Sequence, residues 1–160
     1  MTGRELIFSS TVTMYIISRL NNKNIITFEM KESIELRQVF KVKPFEIYDA
    51  WLDSIQHSKM TGGLAKCSNK IGGTFTAWDG YIQGVNIDLK PNEEIIQTWR
   101  TSEFDENDED SKLVIRLKEL ENGTELALLH SNIPEGQTQY SSGWLEHYFT
   151  PMENYFENKK

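Results

Sequence analysis

Between Ser33 and His130 the chain alternates apolar and polar residues with a period of two, in short runs separated by glycine, proline, asparagine and aspartate. A period of two sends successive side chains to opposite faces of a strand, so each run predicts a strand with one face toward a core. Ile34 to Val42 sets Ile34, Leu36, Gln38 and Phe40 on one side and Glu35, Arg37, Val39 and Lys41 on the other. Further strands are predicted over Leu64–Asn69, Gly73–Trp78, Tyr81–Leu89, Ile95–Thr101, Lys112–Glu121 and Thr124–His130. The turns favour antiparallel neighbours. Asp79-Gly80 is a two-residue hairpin signal, Pro91-Asn92 marks a reversal, and Asn122-Gly123 is better explained as a hairpin turn than as the glycosylation acceptor it also matches.

The spacing becomes helical in two places. Pro44 opens a helix in which Ile47, Tyr48, Trp51 and Leu52 form a stripe, and Asp53-Ser54 breaks it before a second short helix that runs to about Met60 and ends at Gly62-Gly63. The long helical pattern is Tyr140 to Asn158. There Trp144, Tyr148, Met152, Tyr155 and Phe156 recur at intervals of three and four, Leu145 and Phe149 widen the stripe, and Pro151 predicts a bend. Strand, two short helices, six strands and a long helix predict an α+β fold, a curved antiparallel β-sheet wrapped around a C-terminal α-helix.

Composition narrows the function. The 160 residues suit one domain, and the net charge of -7 with scattered basic residues argues against a nucleic-acid partner. Six of the eight residues from Glu103 to Asp110 are acidic, which predicts a solvated, mobile hairpin tip; glycine and glutamate are missing where a calcium loop needs them. The single cysteine, Cys67, excludes an intramolecular disulfide and fits a reducing, cytoplasmic setting. His57, His130 and His147 offer no metal-ligand spacing, so no metal and no cofactor are expected. Leu6 to Leu20 is too short and too polar to span a bilayer, and no membrane partner is expected. Met30 precedes the first clear strand, so the functional chain is expected to begin there, with residues 1–30 a poorly ordered extension and residues 31–158 the domain.

With SIELRQVFKVKPFEIYDAWLDS at the start, GGTFTAWDGYIQG and IIQTWR in the middle, HSNIPEG before the last helix and GWLEHYFTPMENYF within it, the chain resembles the activator of heat shock protein 90 ATPase homologue family from Ser33 to about Glu157. The resemblance implies a START-like, or SRPBCC, helix-grip fold with a cavity between sheet and helix. It also implies a co-chaperone that stimulates the ATPase of heat shock protein 90. In the eukaryotic activators a separate N-terminal domain makes much of the chaperone contact, and here only some thirty residues precede the matching region.

No acid–base or nucleophile constellation emerges, and no catalytic residue is assigned. His130, on a strand with Leu126 and Leu128, reads as a hydrogen-bonded histidine beside the core, and Cys67 as a small buried hydrophobe. The aromatic set remains: Trp51, Phe75, Trp78, Tyr81, Trp99, Trp144 and Tyr148, with His147, predict the lining of an apolar, ligand-binding pocket closed by the last helix. The sequence therefore predicts a non-enzymatic domain that binds a small hydrophobic ligand or a protein partner, with chaperone activation and an enzyme using the cavity as the alternatives.

Overall fold

The computed structural model describes the backbone of residues 15–20 and 26–159 and the side chains of residues 32–159. Seven strands form one antiparallel sheet in the order β1-β2-β7-β6-β5-β4-β3. They are β1 (Tyr15–Leu20), β2 (Ile26–Phe40), β3 (Thr74–Ala77), β4 (Ile82–Lys90), β5 (Glu94–Thr101), β6 (Ser111–Leu120) and β7 (Gly123–Ile133). Helices α1 (Pro44–Leu52) and α2 (Ser54–Thr61) follow β2. The C-terminal helix comprises α3 (Tyr140–Trp144), a π turn (Leu145–Phe149) and α4 (Thr150–Asn158). The α+β, helix-grip architecture is the one the element order predicts.

Local chemistry explains the agreement. Pro44 stands in the first turn of α1, and the Glu46 carboxylate accepts from the Lys43 N–H at 3.0 Å. Asp53 ends α1 and begins α2, its Oδ1 accepting from the Gln56 N–H at 2.8 Å, while Gly62 closes α2 in the left-handed region (φ 87°). Alternation holds along β5, where Ile95, Gln97, Trp99 and Thr101 are buried, and along β7, where Leu126, Leu128 and His130 are.

Three local expectations need correction. Strand β2 begins at Ile26, well before Ile34, because its register shifts between Glu32 and Ile34 and that irregularity interrupts the alternation. Met30 thus lies inside β2, opposite Ile16 of β1; residues 1–14 and 21–25 of the expected extension lie outside the described residues. Leu64–Asn69 is an irregular segment with a single bridge, Lys66 to Thr76. Its backbone is claimed by α2: Ser58 Oγ accepts from the Ala65 N–H at 2.8 Å and Ser54 Oγ from the Cys67 N–H at 2.9 Å. The β3–β4 connection is a four-residue turn, Trp78 to Tyr81, with Trp78, Asp79 and Gly80 all at positive φ.

The acidic hairpin is also more ordered than its charge predicts. Phe104 is buried and meets Trp99 and Tyr140 edge-on and tilted at 6.3 Å. The Arg100 guanidinium lies over Phe104, pairs with Asp110 at 3.0 Å and donates to the Asp105 carbonyl at 3.1 Å. One apolar anchor and one buttressing cation fix a loop whose other side chains are solvated.

The C-terminal helix buries Tyr140, Trp144, Tyr148, Met152 and Phe156, each four residues from the last. An α-helix turns about 100° per residue, so a strict interval of four drifts about 40° per step and would carry Phe156 far from the face of Tyr140. The π turn supplies the correction. The Thr150 N–H bonds to the Leu145 carbonyl, five residues back, and the wider turn returns the stripe to one face. Pro151, without an N–H, sits where the ladder is already interrupted.

Candidate functional site

The space between sheet and C-terminal helix is occupied by aromatic rings in mutual contact. Trp144 of α3 lies 4.7 Å from Tyr148, 5.6 Å from Trp99 of β5 and 6.5 Å, stacked, from Trp51 of α1; Trp51 and Tyr148 are 5.3 Å apart. These four expected pocket residues are buried together. Phe75 of β3 is also buried, its ring over Gly84 of β4, where a Cβ would lie 2.6 Å from the ring. Trp78 and His147 form a separate pair at 5.4 Å, with His147 exposed. Tyr81 stands apart: it is exposed, and its hydroxyl bonds to Glu103 in a short contact that, after burial, raises its pKa. The structure thus joins Trp51, Trp99, Trp144 and Tyr148 and separates Tyr81 from them.

His130 joins the helix to the sheet. Ser111 Oγ lies 2.6 Å from the Trp99 carbonyl, which can only accept, so the serine proton goes there. His130 Nε2, 2.7 Å from the same Oγ, must then donate, leaving Nδ1 as acceptor for the Trp144 indole N–H at 3.1 Å. Both ring nitrogens are satisfied only in the neutral Nε2–H form. Complete burial pushes the pKa down to about 3 and keeps it neutral. A second buried chain runs from the Trp51 indole N–H to Gln97 Oε1 (3.2 Å), from Gln97 Nε2 to Asn86 Oδ1 (2.8 Å), and from Asn86 Nδ2 to the Ser68 and Lys70 carbonyls. These bonds fix α1, β5, β4 and the loop before β3 together.

The sequence reading did not reach Gln97, Asn86 or His57 as structural groups. Gln97 carried a signal, since alternation places it on the core face between Ile95 and Trp99, where a polar side chain needs a buried partner. His57 of α2 donates from Nδ1 to the Trp51 carbonyl at 2.8 Å; burial lowers its pKa, partly offset by that bond. The partly buried Cys67 thiol is pushed up to about 11, by burial and then by Asp53, which keeps it protonated and unreactive. Among the described residues no group of three or more His, Cys, Asp or Glu side chains is placed to hold a metal ion, and no helix is long and apolar enough to cross a membrane.

At the far end of the sheet a polar cluster links three segments. Thr101 Oγ1 donates to the Tyr140 hydroxyl, which donates to Gln137 Oε1, each at 2.6 Å. Gln137 Nε2 reaches the Glu103 carbonyl at 3.1 Å, and Gln139 Nε2 the Glu103 carboxylate at 3.3 Å. The acidic hairpin is thereby held to the loop that enters the C-terminal helix.

A curved antiparallel sheet gripping a C-terminal helix through buried aromatic rings defines a START-like domain. More specifically, residues 41–157 match the family described as activator of Hsp90 ATPase homolog 1-like protein, and the chain belongs to it. A curated relative, the activator of 90 kDa heat shock protein ATPase homolog of Dictyostelium discoideum, is 24% identical over 145 residues, covering 90% of this chain but 34% of its own length. The chain therefore spans about a third of that relative. Among solved structures, an HSP90 activator from Plasmodium falciparum is 26% identical with a TM-score of 0.71, over 76% of this chain and 94% of the other. CalU16 from Micromonospora echinospora shares the fold at 20% identity and a TM-score of 0.67, over 93% and 88% of the two chains.

Proposed function

We propose that the domain acts by binding a protein partner, an Hsp90-type chaperone in the cytoplasm, and stimulates that chaperone's ATPase without catalysing a reaction itself. The observation that carries this reading is the filled interior: Trp51, Trp99, Trp144 and Tyr148 contact one another where a large apolar ligand would lie, which favours the outer surface as the working part. The match to an HSP90 activator from Plasmodium falciparum, over 76% of this chain and 94% of that one, supports the identity of the partner. His130 supports the non-enzymatic part, because both its nitrogens are committed to structural bonds and its charged form is strongly disfavoured.

The face we assign to the partner is the end of the sheet where Tyr81, Glu103 and the turn at residues 134–136 meet. The hairpin carboxylates there are exposed yet held in a fixed shape by Arg100 and Phe104, which lowers the ordering cost of binding. Calorimetric titration of the chaperone with the domain tests this. Binding that weakens as salt rises, and weakens further in Glu106→Lys, is expected. Binding indifferent to both would move the contact elsewhere, and no binding would remove the reading.

A further inference from the structure

Trp78 adopts φ 51° and Asp79 φ 57°, a left-handed backbone that bulky residues rarely take and that concentrates at functional positions. Packing holds it there. The indole lies on Gly63, where a Cβ would come within 2.6 Å of the ring, and its edge meets His147. The buried Trp78 indole N–H has no hydrogen-bond partner among the described residues. Burial raises the pKa of the Tyr148 phenol, and the Trp78 indole offsets part of that rise.

The Tyr148 ring also meets His57, 5.8 Å away and edge-on. His57 is 2% exposed, and its Nε2 has no hydrogen-bond partner among the described residues either. Because Nδ1–H is committed to the Trp51 carbonyl, Nε2 presents a lone pair. One buried donor and one buried acceptor thus flank the same tyrosine. Each is costly to leave unpaired, and a single bridging group would satisfy both.

We propose that Trp78, Tyr148 and His57 form a binding site for a small neutral molecule carrying an acceptor and a donor on neighbouring atoms, as a primary carboxamide does, with the strained Trp78 indole as its cover. The carbonyl oxygen accepts from Trp78 Nε1–H and the amide N–H donates to His57 Nε2, while the Tyr148 hydroxyl takes either role. A charged ligand is disfavoured, since burial here lowers the His57 pKa and raises those of Tyr148 and Cys67. The ligand is small because the rings of Trp51 and Trp144 occupy the space beyond Tyr148. This site lies beneath the surface and does not depend on the chaperone reading.

The test uses the four tryptophan indole N–H resonances of the nitrogen-15-labelled full chain, titrated with propionamide and separately with propionate. Propionamide should shift the Trp78 resonance to saturation, leaving Trp51 and Trp144 in place because their N–H groups are already bonded to Gln97 and His130. Propionate should produce no saturable shift. His57→Phe keeps a ring but removes the acceptor, and should weaken binding about tenfold. Should that variant fail to fold, Trp78→Phe, followed at the Gly63 amide, should show the same loss. An unsaturable drift, equal movement of all four indoles, equal binding of propionate, or unchanged affinity in a folded variant would overturn the proposal.

Discussion

At the scale of single residues, His130 and Trp144 make the sharpest claims. The Trp144 indole N–H is the only donor that reaches His130 Nδ1 among the described residues, so Trp144→Phe should cost about 1–3 kcal/mol through the unpaired acceptor, more than the loss of ring area alone suggests. Trp144→Ala adds a cavity and should cost about 3–5 kcal/mol. Chemical denaturation of both variants checks the order. The histidines also set a pH dependence. The folded pKa of His130 and of His57 lies below the unfolded value of about 6.5, so the stability they contribute is present above pH 6.5 and is lost as pH falls through the interval below it. Between pH 6.5 and 5 the still-neutral His130 should remove up to about 2 kcal/mol. Urea midpoints at pH 7.5 and 5 should differ less in His130→Gln than in the parent chain; an unchanged difference would contradict the neutral assignment.

At the scale of elements, the π turn and the acidic hairpin are the informative cases. Deleting Glu146 would remove the residue that the π turn accommodates and let an unbroken α-helix keep Trp144, Tyr148, Met152 and Phe156 on one face, so cooperative unfolding should be retained. Inserting one residue there should instead swing Met152 and Phe156 by about 100° and lower the melting temperature steeply. Pro151→Ala, by contrast, should change stability by less than about 1 kcal/mol, because the interval-of-four stripe rather than the proline demands the wide turn. In the hairpin, Phe104→Ala should cost about 3 kcal/mol, whereas shortening between Asp105 and Asp108 should cost far less. Thermal melts separate these outcomes. The helical stripe was legible in the sequence, and so was the need for something other than an α-helix, since 140, 144, 148, 152 and 156 are all bulky and apolar. The hairpin was not: charge counting sees six acids and passes over the one phenylalanine that decides where they sit.

At the scale of the whole molecule, the strands after Gly73, both short helices and the final helix could be read from alternation, proline and glycine placement, because each follows a local rule. Three features could not. The start of β2 is hidden by a bulge, the 64–69 segment loses its strand to two serine side chains of α2, and Trp78 is turned by a four-residue connection whose conformation its sequence does not reveal. The site divides similarly. That Trp51, Trp99, Trp144 and Tyr148 share a face follows from periodicity, whereas their filling the space by contact, and the hydrogen bonds that orient them, depend on tertiary packing. The family is matched over residues 41–157, and the proposed function places the working part on the surface, outside that filled and cross-linked interior.

The most direct measurement is ATP turnover by a purified Hsp90-type chaperone with increasing amounts of this chain. The account predicts a saturable, several-fold stimulation that Glu106→Lys reduces while the variant stays folded. Turnover unchanged at concentrations where the chain is folded and in excess would contradict it.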